Sequence, residues 1–153
     1  MRTYDIFEMP EVFQFNMYIK LHSKFGDDKL DMIFDNQYKF GSKFTKFNAI
    51  ANIFKNQDRS SINDRAIAQN CVLEFISHTI EELIELRREF PIRKHWSVNQ
   101  NKKVNIDKAK EELVDALHFF VSIALLLGID SGTLFDAYII KNKKNHIRQK
   151  EGY

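Results

Sequence analysis

Two short acidic patterns carry the most chemistry in this sequence: Glu81, Glu82 and Glu85, and farther along Glu111, Glu112 and Asp115. Residues three or four apart share one side of an α-helix, so Glu82 projects with Glu85 and Glu112 with Asp115. Apolar residues flank each pair, Ile80, Leu83 and Ile84 around the first and Leu113, Val114 and Leu117 around the second. Both acidic faces therefore border a core rather than oppose it. If the two helices pack antiparallel, four carboxylates converge. Like charges gathered in a partly buried place repel and raise one another's pKa unless a cation neutralises them. Oxygen-only ligands select Mg²⁺, or Mn²⁺, over zinc, and Mg²⁺ held by a few carboxylates commonly recruits the phosphates of a substrate. Acidic residues at helical spacing are ordinarily just a solvated face. Two such patterns on consecutive helices separate this chain from that ordinary case.

A second set is complementary in charge. Tyr138, Lys141, Asn145 and Arg148 fall at steps of three, four and three, placing a phenol, an amine, an amide and a guanidinium on one stripe. All four donate hydrogen bonds, and such a row suits a polyphosphate, with Arg gripping two oxygens and Lys acting as a point charge. Lys143, Lys144 and Lys150 read as a plain basic solvent face. Between the acidic patterns, Lys94, His95 and Trp96 include the only Trp of the chain, an aromatic able to stack on a base or to plug a core. His118, three residues after Asp115, raises a carboxylate-bridged di-iron site, but that site requires a carboxylate-x-x-His pattern on two helices. Only one is present, since His78 precedes Glu82 by four.

The elements that must position these groups are helical. From Ser61 to Glu89, Ile67, Cys71, Phe75, Ile76, Ile80, Leu83 and Ile84 recur at three- and four-residue steps, the period of a core-facing helix side. Ser61 and Asp64 form a capping box at its start and Pro91 ends it. Asn105 or Asp107 caps a second long helix running through Leu113, Leu117, Phe120, Ala124 and Leu127 to Gly128. Asp130 or Ser131 caps a third, with Leu134, Ile140 and Ile147 on one stripe. Near the N-terminus, Pro10, Val12, Phe13, Ile19 and Leu21 predict a helix to about Phe25, whereas Phe25 to Asn48, interrupted by Gly26 and Gly41, predicts loops or short helices. The expected architecture is one all-α domain over residues 1–153, a bundle of four to five helices. The stretch Ala116 to Ile129 is apolar on all sides and needs cover from several neighbours or a partner subunit.

Composition narrows the function classes. The 23 Lys and Arg against 21 Asp and Glu give no basic excess, so no nucleic-acid partner is expected. The 44% apolar content opposes disorder, and five Gly and two Pro are too few turn residues for a many-stranded barrel. Ala116 to Ile129 falls short of the roughly 20 apolar residues that cross a bilayer. No membrane partner is expected. Met1 to Pro10 mixes Arg2, Asp5 and Glu8 with apolar residues and does not read as a signal peptide. A single cysteine, Cys71, cannot form an internal disulfide, which fits a reducing cytoplasm.

Glu81-Glu82-x-x-Glu85 followed by Glu112-x-x-Asp115 resembles the signature of the all-α nucleoside triphosphate pyrophosphatase superfamily, which includes MazG-type enzymes and dimeric dUTPases. Lys94-His95-Trp96, Asp115-x-x-His118-Phe119 and Tyr138-x-x-Lys141-x-x-x-Asn145-x-x-Arg148 look like the dimeric dUTPase branch and its relatives, the phage dCTP pyrophosphatases. The likeness covers roughly residues 61–153. It implies that Glu82, Glu85, Glu112 and Asp115 bind Mg²⁺, with Mn²⁺ as the substitute, and form the catalytic cluster. It also implies that Tyr138, Lys141, Asn145 and Arg148 hold phosphates or sugar, and that Trp96, His118 and Phe119 line the nucleoside pocket. The implied reaction is hydrolysis of a deoxynucleoside triphosphate to monophosphate and pyrophosphate, with Glu82 the chosen base for the attacking water. Dimeric dUTPases tend to carry a base-contacting Gln and Asn three apart on the first helix; here Gln14 and Asn16 are two apart. The resulting expectation is a Mg²⁺-dependent dUTP diphosphatase acting as a homodimer in the cytoplasm, a host cytoplasm if phage-encoded, as the compact form and the Asn- and Lys-rich loops suggest. The enzyme alternative is a dCTP or broader MazG-like pyrophosphatase, and the alternative of another class is a non-catalytic helical interaction protein.

Overall fold

Capping and periodicity dictate where the helices begin and end. The computed structural model describes residues 28–90 and 103–152. Five α-helices lie in these segments: α1 Lys29–Gly41, α2 Phe47–Lys55, α3 Ile62–Arg88, α4 Ile106–Leu126 and α5 Ser131–Lys150, with a single 3₁₀ turn at Gln57–Arg59 and no strand among the described residues. The all-α expectation holds. The N-terminal helix expected from Pro10 to Phe25 lies outside the described residues.

Side chains satisfy the helix starts as their types require. Ser61 Oγ accepts from the Asp64 N–H at 3.0 Å and donates to Asp64 Oδ2 at 2.7 Å. Asn105, rather than Asp107, caps α4 by accepting from the Lys108 N–H at 3.2 Å. Asp130, rather than Ser131, caps α5 by accepting from the Thr133 N–H at 2.7 Å, and that backbone hydrogen bond holds its carboxyl below the usual range. Ser131 instead donates to the carboxylate of Asp31, joining the start of α5 to α1. At the end of α4 the Gly128 N–H donates to Leu125 O and the Ile129 N–H to Ala124 O, with Gly128 at φ 72°. This left-handed closure is where the sequence predicts the helix to stop.

The two long helices pack against each other more extensively than any other pair. They run antiparallel, since Phe75 meets Phe119 while, farther along α3, Glu89 meets Lys108. Ala68 on α3 and Ala109 and Ala116 on α4 are buried. Phe34 of α1 packs with Val121 and Ala124 of α4 in a buried cluster that Leu30, Leu125, Ile129 and Leu134 border. Gln37 reinforces this contact by donating to Ser122 Oγ at 2.8 Å, and Ser122 in turn donates to His118 O at 2.9 Å.

Three expectations are corrected. The segment from Phe25 to Asn48 was expected to hold loops or short helices, yet Lys29–Gly41 is a regular helix of 13 residues, started by Asp28, whose carboxylate accepts from the Asp31 N–H. On α3 the apolar stripe expected in the core is largely outside it: Ile67, Ile76, Ile80, Leu83 and Ile84 are exposed. Half-buried Cys71, Phe75, Thr79, Glu82 and Leu86, with Ala68, form the inward side instead. On α5, Leu134 is half-buried but Ile140 and Ile147 are exposed, because α5 leaves α4 at 103° and packs on α1. Among the described residues no single helix is long and apolar enough to cross a membrane.

Candidate active site

The antiparallel pairing of α3 and α4 brings one turn of each into register at the acidic patterns. Ligand oxygens of Glu82, Glu85 and Glu112 all lie within 4.8 Å of one another. Glu112 is the deepest, 8% exposed, and faces α3 from the side of α4 that carries Ala109 and Ala116. Glu82 is half-buried, and its carboxyl is pushed above the usual carboxylate range first by burial and then by the charges of Asp115, Glu85, Glu112 and Glu81. Asp115 stands outside the tight trio, near enough to act on Glu82 and 3.6 Å from His118 Nδ1 on the next turn of α4.

A cation borders the cluster. Lys108 Nζ lies 3.1 Å from Glu89 Oε1 and 4.0 Å from Glu112 Oε1. Its pKa is raised, chiefly by the hydrogen bond to Glu89. Glu85 also has Arg88 Nη1 at 3.7 Å, an exposed pair of little energetic weight. Past the carboxylates, toward the N-terminal half of α3, Phe119 meets Phe75 edge-on at 6.0 Å and stacks with His78 at 5.1 Å and 28°. The His78 Nδ1 lies 3.1 Å from Glu81 Oε2.

The structure thus brings together Glu82, Glu85 and Glu112, with Asp115 beside them and Phe119 one turn beyond. It does not bring the donor stripe to them. Tyr138, Lys141, Asn145 and Arg148 are exposed on α5, and among the described residues no hydrogen bond or ion pair links any of them to the carboxylates. The 103° turn after α4 carries that stripe away from the α3–α4 groove. His118 is exposed, and Gln14, Asn16 and Trp96 lie outside the described residues. Reasoning from sequence passed over Lys108 and Glu89, and weighed His78 only as an iron ligand. The signal was there in part: Lys108 precedes Glu112 by four and Glu89 follows Glu85 by four, the spacings that share a helix side.

The donor set tests a metal directly. Three oxygen ligands within reach of a single ion, on two helices and partly shielded from water, fit a hard divalent cation such as Mg²⁺. The same set lacks the nitrogen and sulfur that zinc prefers.

The family model described as dUTPase matches residues 49–131, a span holding all four carboxylates. The chain belongs to this dUTPase family. Its similarity to curated proteins points the same way: it is 36% identical over 70 residues to the dCTP pyrophosphatase of Enterobacteria phage LZ5, covering 41% of this chain and 40% of that protein. It is 43% identical over 44 residues to the dCTP pyrophosphatase of Enterobacteria phage T4, covering 29% of this chain and 26% of that one. The match spans well under half the length of these curated relatives. No solved structure matches the chain. Family membership agrees with the superfamily that the acidic signature resembles, and the donor stripe on α5 lies beyond the matched span.

Proposed function

We propose that this protein is a Mg²⁺-dependent pyrophosphatase that hydrolyses dUTP to dUMP and pyrophosphate, keeping uracil out of DNA. The observation that carries the reading is the convergence of Glu82, Glu85 and Glu112 on two antiparallel helices of a dUTPase-family chain. Mg²⁺ held by these residues and Asp115 would neutralise charge on the triphosphate and its leaving group. Glu82 takes the proton of the attacking water, a role to which its raised proton affinity is suited. Phe119 and His118 border the nucleoside, with Trp96, Gln14 and Asn16 as the other base contacts. The specific rival is dCTP, favoured by the similarity to two phage dCTP pyrophosphatases.

The working unit in this reading is a homodimer. Ile76, Ile80 and Leu83 on α3 and Leu113, Leu117 and Phe120 on α4 are all exposed and lie on the flank of the helix pair away from the acidic groove. A second copy covering that flank accounts for so much apolar surface in one place. The α5 stripe, turned away from the carboxylates of its own protomer, would in such a dimer serve the other protomer's site, with Tyr138, Lys141, Asn145 and Arg148 as the phosphate and sugar contacts.

The test is a panel of dUTP, dCTP, dTTP, dATP and dGTP scored for pyrophosphate release with Mg²⁺, repeated with Glu82→Gln. The expected result is release strongest from dUTP and lost in the variant, with helical circular dichroism unchanged. Preference for dCTP moves the assignment to the relatives' substrate, and equal rates on all five move it to a broad MazG-like enzyme. Silence across the panel supports a non-catalytic interaction protein.

A further inference from the structure

His78 has no part in the mechanism above, yet it is the most deliberately placed ring beside the cluster. It sits one helical turn before Glu82 on α3, about 6 Å along the axis, and Phe119 sits one turn after Asp115 on α4. Because the helices are antiparallel, the two rings meet at the same end of the acidic groove. They stack at 5.1 Å and 28°, and Phe75 braces Phe119 from its edge. Glu81 Oε2 lies 3.1 Å from His78 Nδ1, a contact that orients the ring when Nδ1 carries the hydrogen. One face of the imidazole is therefore occupied by Phe119. The side chain is still 44% exposed, which leaves ring surface not covered by Phe119 accessible from solvent.

We propose that His78 is a further nucleobase-contacting residue, whose outer face is the stacking shelf and whose bond to Glu81 keeps that shelf in place. This inference rests on the nucleotide-hydrolysing reading above. Phosphates held at the carboxylates and a deoxyribose beyond them carry the base one helix turn along the groove, to the His78–Phe119 pair. Stacking on an aromatic face tolerates any base, so the shelf contributes affinity for the base-bearing end rather than choice between bases.

The experiment compares wild type with His78→Ala, His78→Phe and Glu81→Ala on dUTP, dCTP and 2-deoxyribose 5-triphosphate, which lacks a base. Turnover and equilibrium binding are both measured with Mg²⁺, with circular dichroism as the folding control. His78→Ala is expected to raise KM and Kd for dUTP and dCTP by about tenfold, the loss of one base–aromatic stack, while kcat and all values for the baseless triphosphate stay at wild-type level. His78→Phe, which keeps a ring face, restores most of the affinity, and Glu81→Ala gives a smaller loss confined to the two nucleotides. Unchanged nucleotide affinity in His78→Ala overturns the shelf, as does an equal loss on the baseless triphosphate, which would mark His78 as a prop for the carboxylates. Wild type that binds but never releases pyrophosphate overturns the enzymatic reading instead, and the binding arm still decides the shelf.

Discussion

Replacing Glu82 by Gln removes one charge from the acidic cluster while keeping the side chain's shape, and the cluster's geometry fixes two effects of opposite sign. Without metal, the variant should be more stable than wild type. Unit charges 4.8 Å apart repel by about 3.5 kcal/mol at an effective dielectric of about 20 and by about 0.9 kcal/mol in bulk water. Glu82 is only half-buried, so solvent brings the relief to about 1–2 kcal/mol in total. For a chain of this size that is a Tm rise of about 2–8 °C. The pH dependence follows from the same charge. A carboxyl whose pKa is raised on folding binds its proton more tightly in the native state, so its stabilising contribution is present at acidic pH and lost as pH climbs through Glu82's raised value. Metal-free wild type should therefore lose stability over that window, and Glu82→Gln should lack this part of the loss. With Mg²⁺ at a hundredfold excess over Kd, wild type should gain about 2.7 kcal/mol and the variant much less. The assay is thermal unfolding from pH 5 to 8 in EDTA and in Mg²⁺. A variant that melts at or below wild type in EDTA, and gains as much from Mg²⁺, refutes the reasoning.

Three other outcomes can be checked. Gly41→Ala would place a Cβ 2.5 Å from Cε2 of Phe47, a residue only 2% exposed, and should cost about 1–3 kcal/mol in urea unfolding. On the proposed homodimer, Ile80→Glu or Leu117→Glu, on the exposed apolar flank, should lower the mass seen by light scattering from two chains to one. Mixing inactive Glu82→Gln with inactive Arg148→Ala under conditions of subunit exchange should restore part of the pyrophosphate release, because one kind of site in the mixed dimer is intact; no recovery means that stripe and carboxylates do not meet across a dimer.

The long helices were legible because their ends are marked by local chemistry: Ser61, Asn105 and Asp130 each offer an oxygen to an otherwise unpaired N–H, and Gly128 closes α4. The acidic trio was legible for a related reason, since spacing on a helix and the pairing of neighbouring helices are both short-range facts. Helix α1 was hidden because its inward side is Leu30, Phe34, Gln37 and Gly41, in which an amide hydrogen bond and a close ring contact replace two apolar residues. The inward side of α3 was misjudged on the same principle. Ala68, Thr79 and Glu82 share the inward side with Cys71, Phe75 and Leu86, while the isoleucines and Leu83 line the exposed flank. A hydropathy period locates an apolar side without saying what covers it. The direction of α5 depends on a four-residue connection, which no periodic pattern encodes.

Buried Ala109 and Ala116 flank Glu112 on the side of α4 that meets α3, so small side chains stand at the contact behind the carboxylates. Distances between packed helices follow the bulk of the side chains at their contact. If the acids hold Mg²⁺ as proposed, ion choice has a mechanical component: a valine in place of Ala116 would prise the rods apart and leave a wider berth, better matched to Ca²⁺ with its longer bonds and larger coordination number. In the proposed metal site, the methyl groups behind the acids would thus share in choosing the ion.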